Sequence, residues 1–468
     1  VPSPDPALPA AEPDSVVERS RDHDVAVCID FGSTFTKASL VDLEQGRIVA
    51  SAEHRTTIDT DVLDGYDACL AALSGQDARA DGAPTLACSS AGGGLRIAVV
   101  GNEELVTAEA GRRVALSSGG KVVAVVAAST GDDLRAVPAS EPDVVLLTGG
   151  TDGGNAEPIL ACARALAPIW SGPVVVAGDV DVHDEVAAIL AANPVVVAPN
   201  IVPRIGVLAP EGARAAIREL FLSHVIGGKH LSARADFLEM VQGATPDVVL
   251  TGVELLAEIA GDTAVVDVGG ATTDVHSVVE IDPEEAGLSR EVVATTRVTR
   301  TVEGDLGMRW SAISTAEVAG RDDLAAAARR RREEPGFVPT DDRERDLDEE
   351  LAREAVGLAL RRHAGRSKVV VSPEGRVVER SGKDLREVDL LVGSGGVLRH
   401  GRPGVADRVF AGSVGEVGGG WQLPRRADVT VDTDYVLAAA GLLASADRDA
   451  ARRLVRRLTG AAVDNVSP

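Results

Sequence analysis

Two stretches half a chain apart repeat one pattern, and that repeat constrains the fold more than any other feature of the sequence. The first, VAVCIDFGSTFTK (residues 25–37), is an apolar run ending in Asp30, a turn of small and hydroxyl residues, and then Lys37. The second, DTAVVDVGGATTDVHSVVE (residues 262–280), is an apolar run ending in Asp267, a Gly-Gly-Ala-Thr-Thr turn and another apolar run. The residue types predict strands on both sides of each turn. Dinucleotide and Walker loops run from strand into helix, whereas these run from strand into strand. A single such stretch is more often an ordinary hairpin with a Gly/Ser turn. Two copies in the same order predict a duplicated α/β fold with two phosphate loops facing one cleft.

The chemistry of such a loop follows from its residue types. A nucleotide polyphosphate needs close backbone N–H groups, hydroxyl donors, a cation, and a carboxylate to hold the water shell of Mg²⁺. The segment Asp30–Lys37 contains all of these.

Composition narrows the function. The 468 residues, 45% of them hydrophobic, can fill the cores of two or more domains. A formal net charge of -25 argues against nucleic acid or an anionic membrane as the main partner, since neither would meet a basic field. With 2% aromatic residues there is little material for stacking single strands. A nucleoside triphosphate remains compatible, because local donors and a metal outweigh a distant acidic surface.

Cys28, Cys69, Cys88 and Cys162 are scattered, with no Cys-x-x-Cys pair and no His at metal-ligand spacing, and read as reduced core thiols. Residues 1–23 are rich in Pro, Ala and acid, lack the apolar run of a signal peptide, and are expected to form a disordered tail. No apolar run approaches the roughly 20 residues that span a bilayer. The cytoplasm is the expected location.

After Lys37 the sequence predicts a meander turning at Glu44-Gln45-Gly46, then a helix over 60–73. Residues 85–101 hold two strand-like runs about a small-residue turn. From there KVVAVVAAS, DVVLLTGG, PVVVAG and PVVVAP alternate with helices near 103–116, 132, 155–166 and 184–192. Apolar strands alternating with helices predict a parallel, helix-covered sheet. The turn TGGTDGGN (148–155) ends one of these strands; it is either an anion-facing helix start or a loop capped by Asp152 or Asn155. Helices are expected at 213–230 and 234–242. Residues 321–362 read as solvated helices broken near Pro335. Strands at 367–371 and 388–392 follow, the second running into GSGGVLRH (393–400), a glycine turn against which a nucleoside can lie flat. Residues 433–444 form an apolar, small-residue helix suited to close packing.

These motifs carry a resemblance. DFGSTFTK resembles the first phosphate loop of the actin, sugar kinase and heat-shock chaperone ATPase superfamily, DVGGATTD the second, LVGSGGVLR the adenosine loop and YVLAAAGLL the second connecting helix. Within it, DFGSTFTK, CSSAGGGLR, LTGGTDGGN and EGDLGMR are similar to the glutamate mutase accessory family called MutL or GlmL, which is unrelated to the mismatch repair protein of similar name.

The resemblance implies duplicated ribonuclease H-like domains, an N-terminal half over 24–260 and a C-terminal half over 261–463, with a short tail at 464–468. It implies ATP and Mg²⁺ in the cleft between the halves. Asp30 and Asp267 would hold the water shell of Mg²⁺. Gly32, Ser33 and Thr34 with Gly269, Gly270, Thr272 and Thr273 would clamp the β- and γ-phosphates, and Lys37 would neutralise charge on the transferring oxygens. Gly393, Ser394, Gly395 and Gly396 would bound the adenosine. The carboxylate that orients the attacking water is Asp30, Asp267 or Asp274. The implied activity is that of an ATPase chaperone for an adenosylcobalamin-dependent mutase such as glutamate mutase. A small-molecule kinase, a non-hydrolysing scaffold and an iron–sulfur activator of radical dehydratases are the alternatives, the last needing cysteines in glycine-flanked loops.

Overall fold

The computed structural model describes residues 23–128, 133–281, 296–372, 375–416 and 418–460. The tails expected at 1–23 and 464–468 lie outside these residues, His23 excepted, as does the start of the helix expected near Asp132.

The opening repeat forms β1 (Val25–Phe31), β2 (Phe35–Asp42) and β3 (Arg47–Arg55), an antiparallel meander as expected. The helix Val62–Gln76 follows, started by the Asp61 carboxylate, which accepts from the Leu63 N–H. β4 (Thr85–Ser89) then pairs parallel with β1. Gly92, Gly93 and Gly94 all take positive φ, and this turn sends the chain out of the sheet. The two strand-like runs of 85–101 therefore belong to different sheets.

The second run is β5 (Arg96–Gly101), which joins β6 (Lys121–Ala127), β7 (Val144–Leu147), β8 (Val174–Val176) and β9 (Val195–Val197). The order is β6-β5-β7-β8-β9 and every pair is parallel. Helices Glu109–Ser117, Glu157–Leu166 and His183–Ile189 supply crossovers, as the alternation predicts. The chain returns through the helix Glu211–Leu220 and enters β10 (Val241–Ala244), which pairs with β4 and completes the order β10-β4-β1-β2-β3. The helix expected over 234–242 is confined to Asp236–Met240, because residues 241–244 take a strand partner from far along the chain. An unexpected helix, Thr245–Ala260, follows at once, with Pro246 in its first turn where a missing N–H costs nothing.

The second repeat forms β11 (Thr263–Val268) and β12 (Thr273–Val278), extended by β13 (Val298–Glu303). β14 (Arg366–Ser372) and β15 (Gly375–Ser381) make a separate two-stranded ladder. β16 (Leu390–Ser394) and β17 (Asp428–Val431) complete the order β13-β12-β11-β16-β17. Each mixed sheet thus runs third-second-first-fourth-fifth, antiparallel over its first three strands and parallel over the rest. This is the duplicated ribonuclease H-like, actin-like α/β architecture, with a parallel sheet inserted between the fourth and fifth strands of the first copy.

The charged stretch breaks into helices Ala325–Glu333 and Asp342–His363, as expected, but it is more than a solvated face. Arg331 is fully buried, its Nε 2.6 Å from Asp348 Oδ1 and its Nη1 2.9 Å from Glu344 Oε2. A guanidinium taken out of water needs such partners, and sequence periodicity does not reveal them.

One apolar cluster joins Val27 and Ile29 of β1 to Ile97 and Val99 of β5, so the inserted sheet shares a core with the first mixed sheet. The helices Thr245–Ala260 and Val436–Leu443 pack on each other between the two mixed sheets. Their crossing depends on two glycines: a Cβ at Gly252 would overlap the Leu437 carbonyl oxygen, and one at Gly441 that of Val248.

Candidate functional site

The two repeats converge. Asp30 sits opposite Lys37 in the β1–β2 register, with Lys37 Nζ 3.8 Å from Asp30 Oδ2. Thr245, the first residue of the helix after β10, donates its hydroxyl to Asp30 Oδ1 at 2.7 Å. The loop between β1 and β2 closes through Gly32 N–H to the Phe35 carbonyl at 3.2 Å and is anchored by the Thr56 hydroxyl on the Gly32 carbonyl at 2.7 Å. A Cβ at Gly32 would lie 2.5 Å from the Phe35 carbonyl oxygen, which explains the glycine. Ser33 and Thr34 are exposed at the tip.

The second loop is braced from below. Gly269 N–H closes onto the Thr272 carbonyl at 2.9 Å. The Met308 N–H bonds the Gly269 carbonyl at 3.0 Å, and the Arg309 and Trp310 N–H groups share the Gly270 carbonyl at 2.8 Å. Gly307 fits beneath because a Cβ there would lie 2.8 Å from the Gly270 carbonyl oxygen. The EGDLGMR stretch is therefore the support of this loop. Thr272 is partly exposed, whereas Thr273 is buried with its hydroxyl spent on the Leu306 carbonyl at 3.1 Å.

Asp267 ends β11 beside this loop. Burial, the largest effect, raises its carboxyl above the ordinary range, and the charges of Asp274 and Asp30 add to that. Lys37 and a hydrogen bond with Ser394 act in the opposite sense. Burial also opposes the charge of Lys37, but Asp30, Tyr435 and Asp267 outweigh it and hold the amine above the usual lysine value. Asp30, Lys37 and Asp267 thus share one electrostatic neighbourhood, although they come from opposite repeats.

The expected adenosine loop is stitched to the same strand. Gly393 packs on Leu398 and Phe410, and Gly395, at φ 108°, presses on the Val268 carbonyl, so a side chain at either would collide. Gly396 is the exposed member. At its far end, Arg399 stacks on the Tyr435 ring, 3.7 Å from the centroid, and Lys37 Nζ lies 3.8 Å from the same centroid. A cavity of about 200 Å³ opens here between Lys37, Ser51 and Glu53 on one side and Arg399, His400 and Tyr435 on the other.

The family follows from the whole chain. The MutL protein family profile matches residues 26–458. The chain belongs to that family. Protein MutL of Clostridium tetanomorphum is 36% identical over 458 residues, covering 93% of this chain and 99% of that protein. Among solved structures, the activator of 2-hydroxyisocaproyl-CoA dehydratase from Clostridium difficile with bound ADPNP is 12% identical, over 95% of this chain and 100% of that one, at a TM-score of 0.32. An ATP-dependent caprolactamase from Pseudomonas jessenii is 14% identical, over 83% and 68%, at a TM-score of 0.34. Overlays at such scores place no residue of this chain.

In this MutL-family chain the sequence patterns passed over several residues of the site. Tyr435 lay in a segment explained by helix packing alone, yet it stands at positive φ against Lys37. Thr245 carried no motif of its own, and Arg399, the last residue of LVGSGGVLR, drew no role from that motif. The TGGTDGGN turn is a stitched loop: the Asn200 side-chain amide donates to the Gly150 carbonyl at 3.1 Å and to Asp152 Oδ1 at 2.8 Å. All four cysteines are free and buried, with burial pushing the Cys28 thiol up to about 12 and the Cys162 thiol up to about 11. Cys28 and Cys88 lie in strands and Cys69 and Cys162 in helices, which does not fit a cluster held in glycine-flanked loops. Among the described residues, no group of three or more His, Cys, Asp or Glu side chains is placed to hold a metal, and no helix is long and apolar enough to cross a membrane.

Proposed function

We propose that this chain is a cytoplasmic ATPase that binds Mg²⁺-ATP between a 24–260 half and a 261–463 half and uses the resulting closure to service an adenosylcobalamin-dependent mutase such as glutamate mutase. The observation that carries it is the convergence of Asp30, Lys37 and Asp267 from two copies of one strand–turn–strand unit. The family membership points to the mutase as partner.

A largely buried Asp267, crowded by Asp274 and Asp30, is an environment that a cation relieves. Mg²⁺ fits there through its water shell, with Asp30 and Asp267 as holders. When bound it neutralises charge on the β- and γ-phosphate oxygens. The two loops present N–H and hydroxyl donors, and Lys37 reaches the transferring oxygens. Water adds to the γ-phosphorus, the bond to the ADP oxygen breaks, and the proton leaves with inorganic phosphate. Positioning and charge stabilisation dominate such a step, so no strongly basic residue is required. Loss of the γ-phosphate removes one link between the loops and loosens the cleft.

The test combines two measurements on the purified chain. Phosphate release from Mg²⁺-ATP without an acceptor is expected, and an acceptor requirement would transfer the assignment to a small-molecule kinase. Restoration of turnover to an inactivated mutase on adding the chain and Mg²⁺-ATP is expected; no restoration would remove the chaperone role and leave the nucleotide site standing.

A further inference from the structure

Arg300, on β13, is 5% exposed and joins the second mixed sheet to the inserted unit. Its Nη2 donates to Asp274 Oδ2 at 3.0 Å, and Asp274 lies on the adjacent strand just beyond the second phosphate loop. Its Nη1 donates to the carbonyls of Leu116 and Gly120, at 3.0 and 3.2 Å. Leu116 lies in the last turn of helix Glu109–Ser117 and Gly120 in the connection from it to β6, in the inserted unit that shares its core with the first mixed sheet. The Leu116 carbonyl also accepts from the Gly119 N–H at 3.1 Å, and the partial negative charge of a helix C-terminus suits a guanidinium. The same turn touches the site from its other side: a Cβ at Gly119 would lie 2.7 Å from the backbone nitrogen of Asp247, two residues beyond Thr245. Asp274 Oδ1 is buried and has no hydrogen-bond partner.

We propose that Arg300 is a positioning residue for Asp274 and a latch across the cleft. This rests on the nucleotide reading above. With the cleft shut, the Leu116 and Gly120 carbonyls hold one arm of the fork, the other holds Oδ2 of Asp274, and Oδ1, sealed in this structure, stays unpaired for the water that enters with the nucleotide. Opening the cleft withdraws the two carbonyls. The guanidinium then turns to take both carboxylate oxygens, the favoured bidentate pairing, and Oδ1 is lost to the water. Turnover is thereby confined to the closed state, and the inserted sheet moves with the nucleotide.

The test uses the full chain carrying Arg300→Gln or Arg300→Lys, with spin labels on Glu104→Cys and Asp322→Cys, both exposed positions on opposite sides of the latch. The native thiols are buried, which favours labelling at the two new ones. For Arg300→Gln the expectation is an ATP affinity within about threefold of the parent, turnover at least tenfold lower, and a broad label separation that ATP no longer narrows. Arg300→Lys keeps the charge without the fork and recovers part of the turnover; it gives the same three readouts if the Gln variant does not fold. Parent-like turnover and separation in the variants would overturn the latch. If the parent binds no ATP, the nucleotide reading fails instead; the latch is then upheld by variants that broaden the nucleotide-free separation and overturned by variants that do not.

Discussion

Lys37 Nζ lies 3.8 Å from the centroid of the Tyr435 ring, joining β2 of the first repeat to the start of a helix almost 400 residues later in the chain. Tyr435 holds this place at φ 57°, a left-handed conformation that a bulky residue rarely adopts. A cation over an aromatic face contributes about 1 kcal/mol when partly desolvated. Tyr435→Phe keeps that contact and should leave ATP turnover within about twofold. Tyr435→Ala releases the amine and should lower turnover by about fivefold, as measured by steady-state phosphate release.

Burial and the charges of Asp274 and Asp30 disfavour the charged form of Asp267. Replacing it with Asn should raise the melting temperature of the nucleotide-free chain while removing most of the stabilisation that Mg²⁺-ATP confers on the parent. Such an exchange of stability for function is common at sites that await a ligand. Paired thermal melts with and without Mg²⁺-ATP check it, and a variant that melts lower without ligand would contradict it.

His363 is 4% exposed, its Nε2 2.8 Å from the Ser277 hydroxyl and its Nδ1 2.9 Å from that of Thr301. Burial, with the nearby Lys383 charge adding to it, lowers its pKa to about 3. A histidine neutral in the folded state stabilises the fold above its unfolded pKa of about 6.5. That contribution is lost as the pH falls from there toward 3, by at most about 1.4 kcal/mol per pH unit. His363→Gln should therefore show a shallower loss of stability over this window in urea titrations at successive pH values. An unchanged slope would show that His363 is not the group that resists protonation.

The helices Thr245–Ala260 and Val436–Leu443 touch backbone to side-chain position at Gly252 and Gly441. Gly441→Ala would set a methyl group against the Val248 carbonyl and force the helices apart. A loss of about 3 kcal/mol in denaturant unfolding is expected, at the upper end of ordinary overpacking. Gly75→Ala, at a helix position with open space around it, is the control and should be neutral or slightly stabilising.

Local pattern carried much of this molecule. The acid–glycine–hydroxyl order at Asp30–Lys37 and Asp267–Asp274 was readable because both turns are sequence-local and their glycines answer to contacts within a few residues, such as Gly32 with Phe35. The Val-rich strands β7 and β8 were readable for the same reason, since strands buried on both faces are uniformly apolar. β10 was hidden because it is four residues long and is a strand only by virtue of β4. The helix Thr245–Ala260 was hidden because Pro246 and Gly252 resemble breakers until their neighbours are seen. Arg331 looked like one more solvated charge in a run of arginines.

By itself, then, the sequence determined that two like strand–turn–strand units exist, where their carboxylates and lysine lie, and that a parallel sheet stands between them. The tertiary structure alone decided that the parallel sheet is an insertion sharing the first core, that Tyr435 and Thr245 reach Lys37 and Asp30, and that Arg300 bridges Asp274 to the carbonyls of Leu116 and Gly120. The division has a physical cause. Turn geometry and strand burial are set by neighbours a few residues away and leave a periodic trace, whereas contacts across a cleft depend on how separate layers stack and leave none.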